Sequence, residues 1–513
     1  MSDNQNAAIY FVDRHIAEGR ADKPVFRETA GAKRELSYGR LADQSARFAG
    51  ALGKAGIRRE ERILLLMLDT NDLPVAFWGA IRAGVVPIPL NTLLAASVYD
   101  EIFHDSRASA LFVSAELYET IKPALPLNPF IRTVVVVGGD SPEGTTSFED
   151  FMEGAESLAP VVACEDEIAF WLYSSGSTGR PKGVKHVHGA LRATSDSYGA
   201  QVLQIREDDV VFSAAKIFFA YGLGNAMTFP MSVGATTILF SGRPTPESVS
   251  AILRDEQPTV FCGVPTLYAA LLHHWELGGT CPDAPLRTSI SAGEALPAEI
   301  GRKWQAMCGT DIMDGVGSTE MLHIFLSNKP GDIEYGTSGT AVPGYDVRLV
   351  DEAGEEVGPR EVGELLVRGA SAAEGYWNQR GKSRATFEGE WTRTGDKYER
   401  NEAGRFIYCG RTDDMFKVSG IWVSPFEVEQ ALMSHPKVLE AAVVAWRDAE
   451  ELEKPKAFVV LKGGADEAPL AELKEFVKER IGKWKYPRWI EVVDELPKTP
   501  TGKIQRFKLR KDA

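Results

Sequence analysis

From residue 35 to about 300 the chain repeats one texture, an amphipathic run followed by a short apolar run rich in β-branched residues. SYGRLADQSARFAGALGKAG (37–56) precedes RILLLML (62–68), AFWGAIRAG (76–84) precedes VVPIPL (85–90), and SRAS (106–109) precedes ALFVSA (110–115). Apolar positions at helical spacing alternating with continuous apolar runs predict helices packed on buried, largely parallel strands. From about 330 to 410 the runs shorten and Gly-rich turns separate them: YDVRLVDEAGEEV (345–357), GELLVRG (363–369), GRFIYCG (404–410). That pattern predicts an antiparallel β subdomain packed on the first region. The last hundred residues alternate again, as helix SPFEVEQALMSH (424–435), strands VLEAAVVAW (438–446) and KAFVVLK (456–462), helix APLAELKEFVKERI (468–481) and strand RWIEVVDEL (488–496). The expected fold class is therefore α/β: a large N-terminal domain (1–412) of layered α/β subdomains plus a β subdomain, then a small α+β C-terminal domain (413–513). The junction falls in GRTDDMFKVSG (410–420), where glycines bracket a charged stretch that suits a plain loop or a hinge.

Composition changes this picture little. With 44% hydrophobic and 25% charged residues, 513 residues suffice for several ordinary globular cores. No apolar run reaches the roughly 18 residues of a membrane span, and the N-terminus lacks a basic stretch leading into an apolar one. These absences predict a cytoplasmic protein with no membrane partner. The net charge of −15 disfavours nonspecific nucleic-acid binding. That charge is uneven: from Asp414 onward 18 Lys and Arg stand against 17 Asp and Glu, so the acidic excess lies upstream. The basic tail (Lys503, Arg506, Lys508, Arg510, Lys511) could face a polyanion or simply be solvated. Five scattered cysteines without a CxxC pair argue against a zinc site or a disulfide framework and predict reduced core thiols.

The strongest chemical signal is YSSGSTGRPKGVKHVH (173–188). It follows the apolar run EIAFWLY (167–173) and precedes HGALRATSDSY (188–198), which predicts a strand, a loop of hydroxyls and glycines, then a helix. Such a loop offers N–H groups and hydroxyls to phosphate oxygens, and Lys182 adds a point charge. It is not the GxxxxGK[ST] loop, because Pro181 occupies the place of the second glycine.

This stretch resembles the phosphate-loop signature of the adenylate-forming enzymes, which include acyl- and aryl-CoA ligases, peptide-synthetase adenylation domains and firefly luciferase. Other segments resemble that family's motifs in the same order: SAGEAL (291–296), DGVGSTE (314–320), RTGD (393–396), GRTDD (410–414) and PTGK (500–503). The resemblance covers roughly residues 35–510 and implies ATP, Mg²⁺ and coenzyme A as cosubstrates and cofactor. It implies that Ser174, Ser175, Gly176, Ser177, Thr178, Gly179 and Lys182 hold the triphosphate. Ser291, Gly293, Glu294, Asp314, Gly315 and Val316 would face adenine, with Val316 standing where the family usually has a stacking tyrosine. Asp396 and Arg411 would reach the ribose, Thr319 the α-phosphate, and Glu320 the Mg²⁺. Lys503 would be the catalytic lysine, carried by a mobile domain pivoting at Asp413.

FFAYGLGNAMTFP (218–230) and STEMLHIF (318–325) resemble the acid-binding segments of the benzoate-CoA ligase group. That likeness implies an aromatic carboxylic acid held by Ala220, Tyr221, Gly222, Gly317, His323 and Ile324. Phe218 and Phe219 read equally well as core aromatics, and an isolated His323 as a core-edge histidine. Benzoate leads, and 4-hydroxybenzoate, 2-aminobenzoate and furoate stay open as acids. A stand-alone adenylating enzyme that loads a carrier protein stays open as an alternative to CoA ligation, and so does a homodimer. KVSGIWVSP (417–425) resembles the segment lining the pantetheine tunnel, which places Lys417, Ser419, Gly420 and Trp422 near CoA.

Overall fold

The computed structural model describes residues 4–31, 33–175, 180–279, 281–412, 414–418, 421–448, 452–462, 470–482, 485–498 and 504–510. The expected helix at 37–56 runs Tyr38–Lys54, with Ser37 Oγ accepting from Arg40 N (3.3 Å) at its N-cap. Its spacing puts Leu41, Ser45, Phe48 and Leu52 on one buried stripe, and Phe48 meets Phe112 of the neighbouring strand at 5.0 Å. That strand, Ala110–Ser114, is part of an all-parallel sheet with Val86–Pro89, Arg62–Leu66, Thr133–Val137 and Thr146–Ser147.

A second, nine-stranded sheet has a parallel centre. Its six parallel strands are, in spatial order, Ile312–Gly317, Thr288–Ser291, Val260–Gly263, Val210–Ser213, Thr236–Leu239 and Pro24–Glu28. Antiparallel strands close both edges: Glu35–Ser37 on one side, Ile324–Ser327 and Thr340–Ala341 on the other. Two of the motifs singled out from sequence, SAGEAL (291–296) and DGVGSTE (314–320), begin at the C-terminal ends of adjacent parallel strands, where α/β sheets leave a crevice for ligands. The predicted antiparallel subdomain is present as strands Asp346–Val350, Gly363–Arg368, Trp391–Arg400, Phe387–Glu388 and Phe406–Arg411.

The C-terminal residues build their own apolar cluster around Phe416, Val428, Leu432, Val443, Val459 and Leu473. Strands Val438–Arg447 and Glu453–Leu461 pair antiparallel, and Trp489–Val492 joins in parallel, shorter than the sequence pattern suggests. Glu429, on helix Pro425–Met433, is buried; it takes the Arg506 guanidinium at 2.7 Å and accepts from Val443 N at 2.8 Å. Asp414 in turn accepts from Arg510 at 2.5 Å. Two of the arginines read as a basic tail are therefore committed to internal carboxylates rather than to a polyanion.

The cysteines also depart from expectation. Cys262 and Cys409 are buried, but Cys164 is exposed, and Cys281 and Cys308 bring their Sγ atoms to 3.1 Å. Chain folding, which places the loop before strand Thr288–Ser291 against the end of helix Ala298–Cys308, joins positions that looked scattered. Among the described residues no helix is long and apolar enough to cross a membrane.

One face of the nine-stranded sheet is sealed by Trp304, fully buried and packed on Phe261, Tyr268 and Trp275 with ring centroids 5.9, 4.7 and 5.5 Å away. Trp304→Ala is expected to cost about 3–5 kcal/mol, seen as a lower unfolding midpoint in urea.

Candidate active site

The phosphate-loop stretch is a hairpin and not the strand–loop–helix that its sequence suggests. Strand Ile168–Ser175 turns back into strand Pro181–Val187, in register Ser174↔Lys182 and Ser175↔Pro181, before helix His188–Thr194 begins. The second strand escaped notice because its polar PK and KH pairs mask Val184 and Val187, which bury between neighbouring layers. Ser174 Oγ is buried without a protein partner. Gly176, Ser177, Thr178 and Gly179 lie outside the described residues.

Facing the hairpin is the turn 318–323, which joins the antiparallel strands Ile312–Gly317 and Ile324–Ser327. Two glycines let it close. A Cβ on Gly317 would lie 2.4 Å from His323 O, and one on Gly315 would lie 2.9 Å from Leu326 O. Leu322, buried in this turn, takes φ +64°, a conformation costly for a branched side chain and held here by its surroundings. Ala373 N donates to Glu320 O (2.8 Å) and Ser371 Oγ donates to Met321 O (2.7 Å), so the segment 371–377 braces the turn from outside.

The front end of the turn carries Thr319 and Glu320. Glu320 Oε1 lies 3.5 Å from Lys182 Nζ and accepts from Tyr376 Oη at 2.8 Å. Burial first, then the Glu320 charge, push the Tyr376 hydroxyl above its ordinary value, so it remains a donor. Among the described residues no three His, Cys, Asp or Glu side chains converge. A divalent cation at Glu320 would thus draw the rest of its shell from phosphate and water, the arrangement Mg²⁺ usually takes beside nucleotides.

The back end carries His323. Its Nε2 lies 3.3 Å from Tyr221 O, and its ring packs against Tyr198, Tyr221 and Phe229 at 5.2, 5.8 and 4.5 Å. Burial lowers its pKa to about 3, which keeps the imidazole neutral; Nδ1 is buried without a protein partner. Tyr221 lies in the first turn of the helix Ala220–Leu223, and its hydroxyl lies 3.1 Å from both Gly263 O and Ile290 O on two parallel strands. Gly222 is compulsory there, since a Cβ would stand 1.9 Å from Lys216 O. Gly224, which sequence reasoning passed over, is equally constrained: its Cβ would meet His323 Cδ2 at 2.4 Å. Ile324 is buried beneath the ring layer, and Phe218 is buried against Phe219 at 4.4 Å.

Ser291 and Asp314 are direct partners on adjacent parallel strands. Ser291 Oγ and Asp314 Oδ1 are both buried without a partner in hydrogen-bond geometry. Burial raises the Asp314 pKa above the usual carboxylate range, which disfavours its charged form. Gly293 sits next to Glu294 in the following turn with φ +92°, and Val316 packs partly buried against the same core. In the β subdomain Asp396 and Arg411 face each other across paired strands, with Nη1 to Oδ1 at 2.8 Å. Arg411 also donates to Thr394 O at 3.1 Å, and its charge reaches Tyr376. The two sequence-predicted ribose residues are thus brought together, on the side of the cleft occupied by Tyr376.

Lys417 and Trp422 are register partners on the hairpin Phe416–Val418 and Ile421–Val423. Ser419, Gly420, Asp413 and Lys503 lie outside the described residues. The residue that sequence analysis missed altogether is Tyr376. Its only local signal is an aromatic pair after Gly375, which takes φ +128° to let the chain bend onto strand Pro181–Val187.

The model of the AMP-binding enzyme family matches residues 13–377, and the model of the AMP-binding enzyme C-terminal domain matches residues 427–503. The chain is 54% identical to a 4-hydroxybenzoate–CoA/benzoate–CoA ligase of Rhodopseudomonas palustris, over 98% of this chain and 94% of that one. It is 51% identical to a benzoate–CoA ligase of Thauera aromatica, over 98% and 95%. Among solved structures, a benzoate CoA ligase from Burkholderia xenovorans superposes with a TM-score of 0.90 at 49% identity, over 99% of both chains. An anthranilate CoA ligase in complex with anthranoyl-AMP gives a TM-score of 0.94 at 40% identity, over 99% of this chain and 97% of that one. With the first family model spanning most of its length and relatives above half identity from end to end, this chain belongs to the AMP-binding enzymes.

Proposed function

We propose that the protein is an aromatic carboxylic acid:CoA ligase that takes benzoate. It would join acid and ATP to an aryl-adenylate with release of pyrophosphate, then transfer the aryl group to the CoA thiol with release of AMP. One observation carries this reading: the turn 318–323 presents Glu320 beside Lys182 at one end and His323 inside an aromatic cage at the other. A flat acid seated against the cage would direct its carboxylate along the turn toward a nucleotide held at Lys182.

The barrier to adenylation is the approach of an anionic carboxylate to an anionic α-phosphate, so positioning and charge compensation are the groups' main work. Lys182 and the hydroxyl loop, Ser174 through Gly179, would bind the triphosphate, and Thr319 the α-phosphate. Mg²⁺, held by Glu320 together with phosphate oxygens, would neutralise charge on the departing pyrophosphate. Asp314, Ser291 and the turn at Gly293 and Glu294 would receive the adenine; Gly315 and Val316 would pack against its face. Asp396 and Arg411 would take the ribose. Lys503 would donate to the carboxylate and the bridging oxygen during adenylation, where a single donor is worth about 3 kcal/mol. Rotation of residues 413–513 about Asp413 would then withdraw Lys503 and admit CoA along Lys417, Ser419, Gly420 and Trp422. No protein nucleophile is required, because AMP is a good leaving group, and the cysteines are spectators.

4-Hydroxybenzoate is the second reading, favoured by the substrate pair in the name of the Rhodopseudomonas relative and by the unpartnered acceptor Nδ1 of His323. A site supplying a dedicated partner to a ring hydroxyl discriminates far more strongly than one that merely tolerates it. Comparing kcat/KM for benzoate, 4-hydroxybenzoate, 2-aminobenzoate and 2-furoate decides between them; a clear preference for 2-aminobenzoate or 2-furoate would end both readings.

Lys503→Ala is expected to slow benzoate-dependent pyrophosphate exchange about a hundredfold or more while leaving thioester formation from presynthesised benzoyl-AMP near its original rate. Equal loss in both half-reactions would assign Lys503 to folding instead. Gly224→Ala, which forces the His323 ring aside, is expected to raise the KM for benzoate with little change in the KM for ATP. Because His323 titrates near 3, replacing it is expected to remove no inflection from the kcat/KM–pH profile between pH 5 and 8.

A further inference from the structure

Tyr376 touches both charged groups at the front of the turn. Its hydroxyl reaches Glu320 Oε1 at 2.8 Å, and its ring lies 4.5 Å from Lys182 Nζ. The ammonium and the carboxylate are left 3.5 Å apart, and Lys182 Nζ is 3.4 Å from the same hydroxyl. Tyr376 itself is fixed from several directions. Its backbone pairs with Val184 of the phosphate-loop hairpin, and its N–H donates to Ser383 Oγ at 3.0 Å. Its ring stands against Phe387 at 5.4 Å. The next residue, Trp377, donates from Nε1 to Asp105 O at 2.9 Å and from N to Gly183 O at 2.8 Å.

The geometry points to Tyr376 as the positioning residue that sets the spacing between the cation-binding carboxylate and the phosphate-binding lysine before nucleotide arrives. A lysine and a glutamate left to themselves in a partly buried cleft would tighten their 3.5 Å ion pair to hydrogen-bond length, occupying the oxygens and protons that Mg²⁺ and phosphate need. The hydroxyl takes one carboxylate oxygen, and the ring face holds the ammonium by a cation–π contact. Each group is thereby oriented yet remains available to its ligand. The inference rests on Glu320 as the cation-binding residue, and the test separates the two ideas.

Two side chains divide the roles: Tyr376→Phe removes the hydroxyl and keeps the ring, and Tyr376→Leu removes both. The probe is α,β-methylene-ATP, titrated calorimetrically with and without Mg²⁺, and with Mn²⁺ followed by electron paramagnetic resonance. Tyr376→Phe is expected to weaken the metal–nucleotide complex by about ten- to a hundredfold, the usual range for losing a hydrogen bond to a charged group, and to leave metal-free nucleotide binding nearly intact. Tyr376→Leu is expected to weaken both. Thioester formation from presynthesised benzoyl-AMP, which involves neither metal nor triphosphate, is expected to survive in Tyr376→Phe. Wild-type Mn²⁺–nucleotide affinity in Tyr376→Phe would overturn the proposal, and so would equal weakening with and without metal, or a matching loss of both half-reactions. Glu320→Gln serves as the reference: if it too keeps wild-type Mn²⁺ affinity, the assignment of Glu320 falls; if it loses affinity while Tyr376→Phe does not, only the role of Tyr376 falls. Should Tyr376→Leu fail to fold, Tyr376→Phe alone decides.

Discussion

Almost everything in the cleft depends on how tightly the chain turns between strands Ile312–Gly317 and Ile324–Ser327. The turn places a carboxylate and an imidazole on opposite ends of one short segment, and it exists only because Gly315 and Gly317 leave room that a Cβ would fill. Leu322 accepts a left-handed backbone there. A strained residue persists where its surroundings over-determine it. Here the surroundings are the Ser371 and Ala373 hydrogen bonds behind the turn and the aromatic layer in front of it.

The bracing segment 371–377 comes from the antiparallel subdomain, whereas the hairpin it pairs with comes from the layered α/β region. Lys182, Glu320 and the Asp396–Arg411 pair are therefore held in one frame by backbone pairing between distant parts of the chain. Preorganisation of this kind matters most for phosphoryl chemistry, where little covalent work falls to the protein and much of the rate comes from charges already in place. The opposite logic would govern Lys503 in the proposed reaction: a donor wanted for one half-reaction and obstructive in the next would belong on a unit with its own core, and the C-terminal residues have one in the cluster around Val428, Val443 and Val459.

Burial supplies the remaining tuning. The same desolvation lowers the pKa of His323 and raises that of Asp314, disfavouring the charged form of each. In the proposed reaction a neutral imidazole would meet the aromatic ring of the acid as a hydrogen-bonding group without charge, and Asp314 would face adenine with its charged form disfavoured by burial.

The layered α/β architecture, the antiparallel subdomain and the ordered motifs were legible in the sequence because they are local: periodicity, β-branched runs and the hydroxyl–glycine loop each occupy a short window. Lys182 stood out for the same reason, whereas Glu320, Asp396 and Arg411 were singled out because their short motifs resemble those of a known family. The second strand of the phosphate hairpin was not, since Val184 and Val187 owe their burial to layers contributed from elsewhere. Nor were the facing thiols of Cys281 and Cys308, the internal use of Arg506 and Arg510, or the spacing role of Tyr376. Gly224 looked like any glycine in a helical stretch until the His323 ring was seen against its Cα. Sequence alone determined which chemical groups the chain owns and in what order. Tertiary structure decided which of them touch, because contact distances of a few ångströms between residues far apart along the chain arise only when separate layers pack.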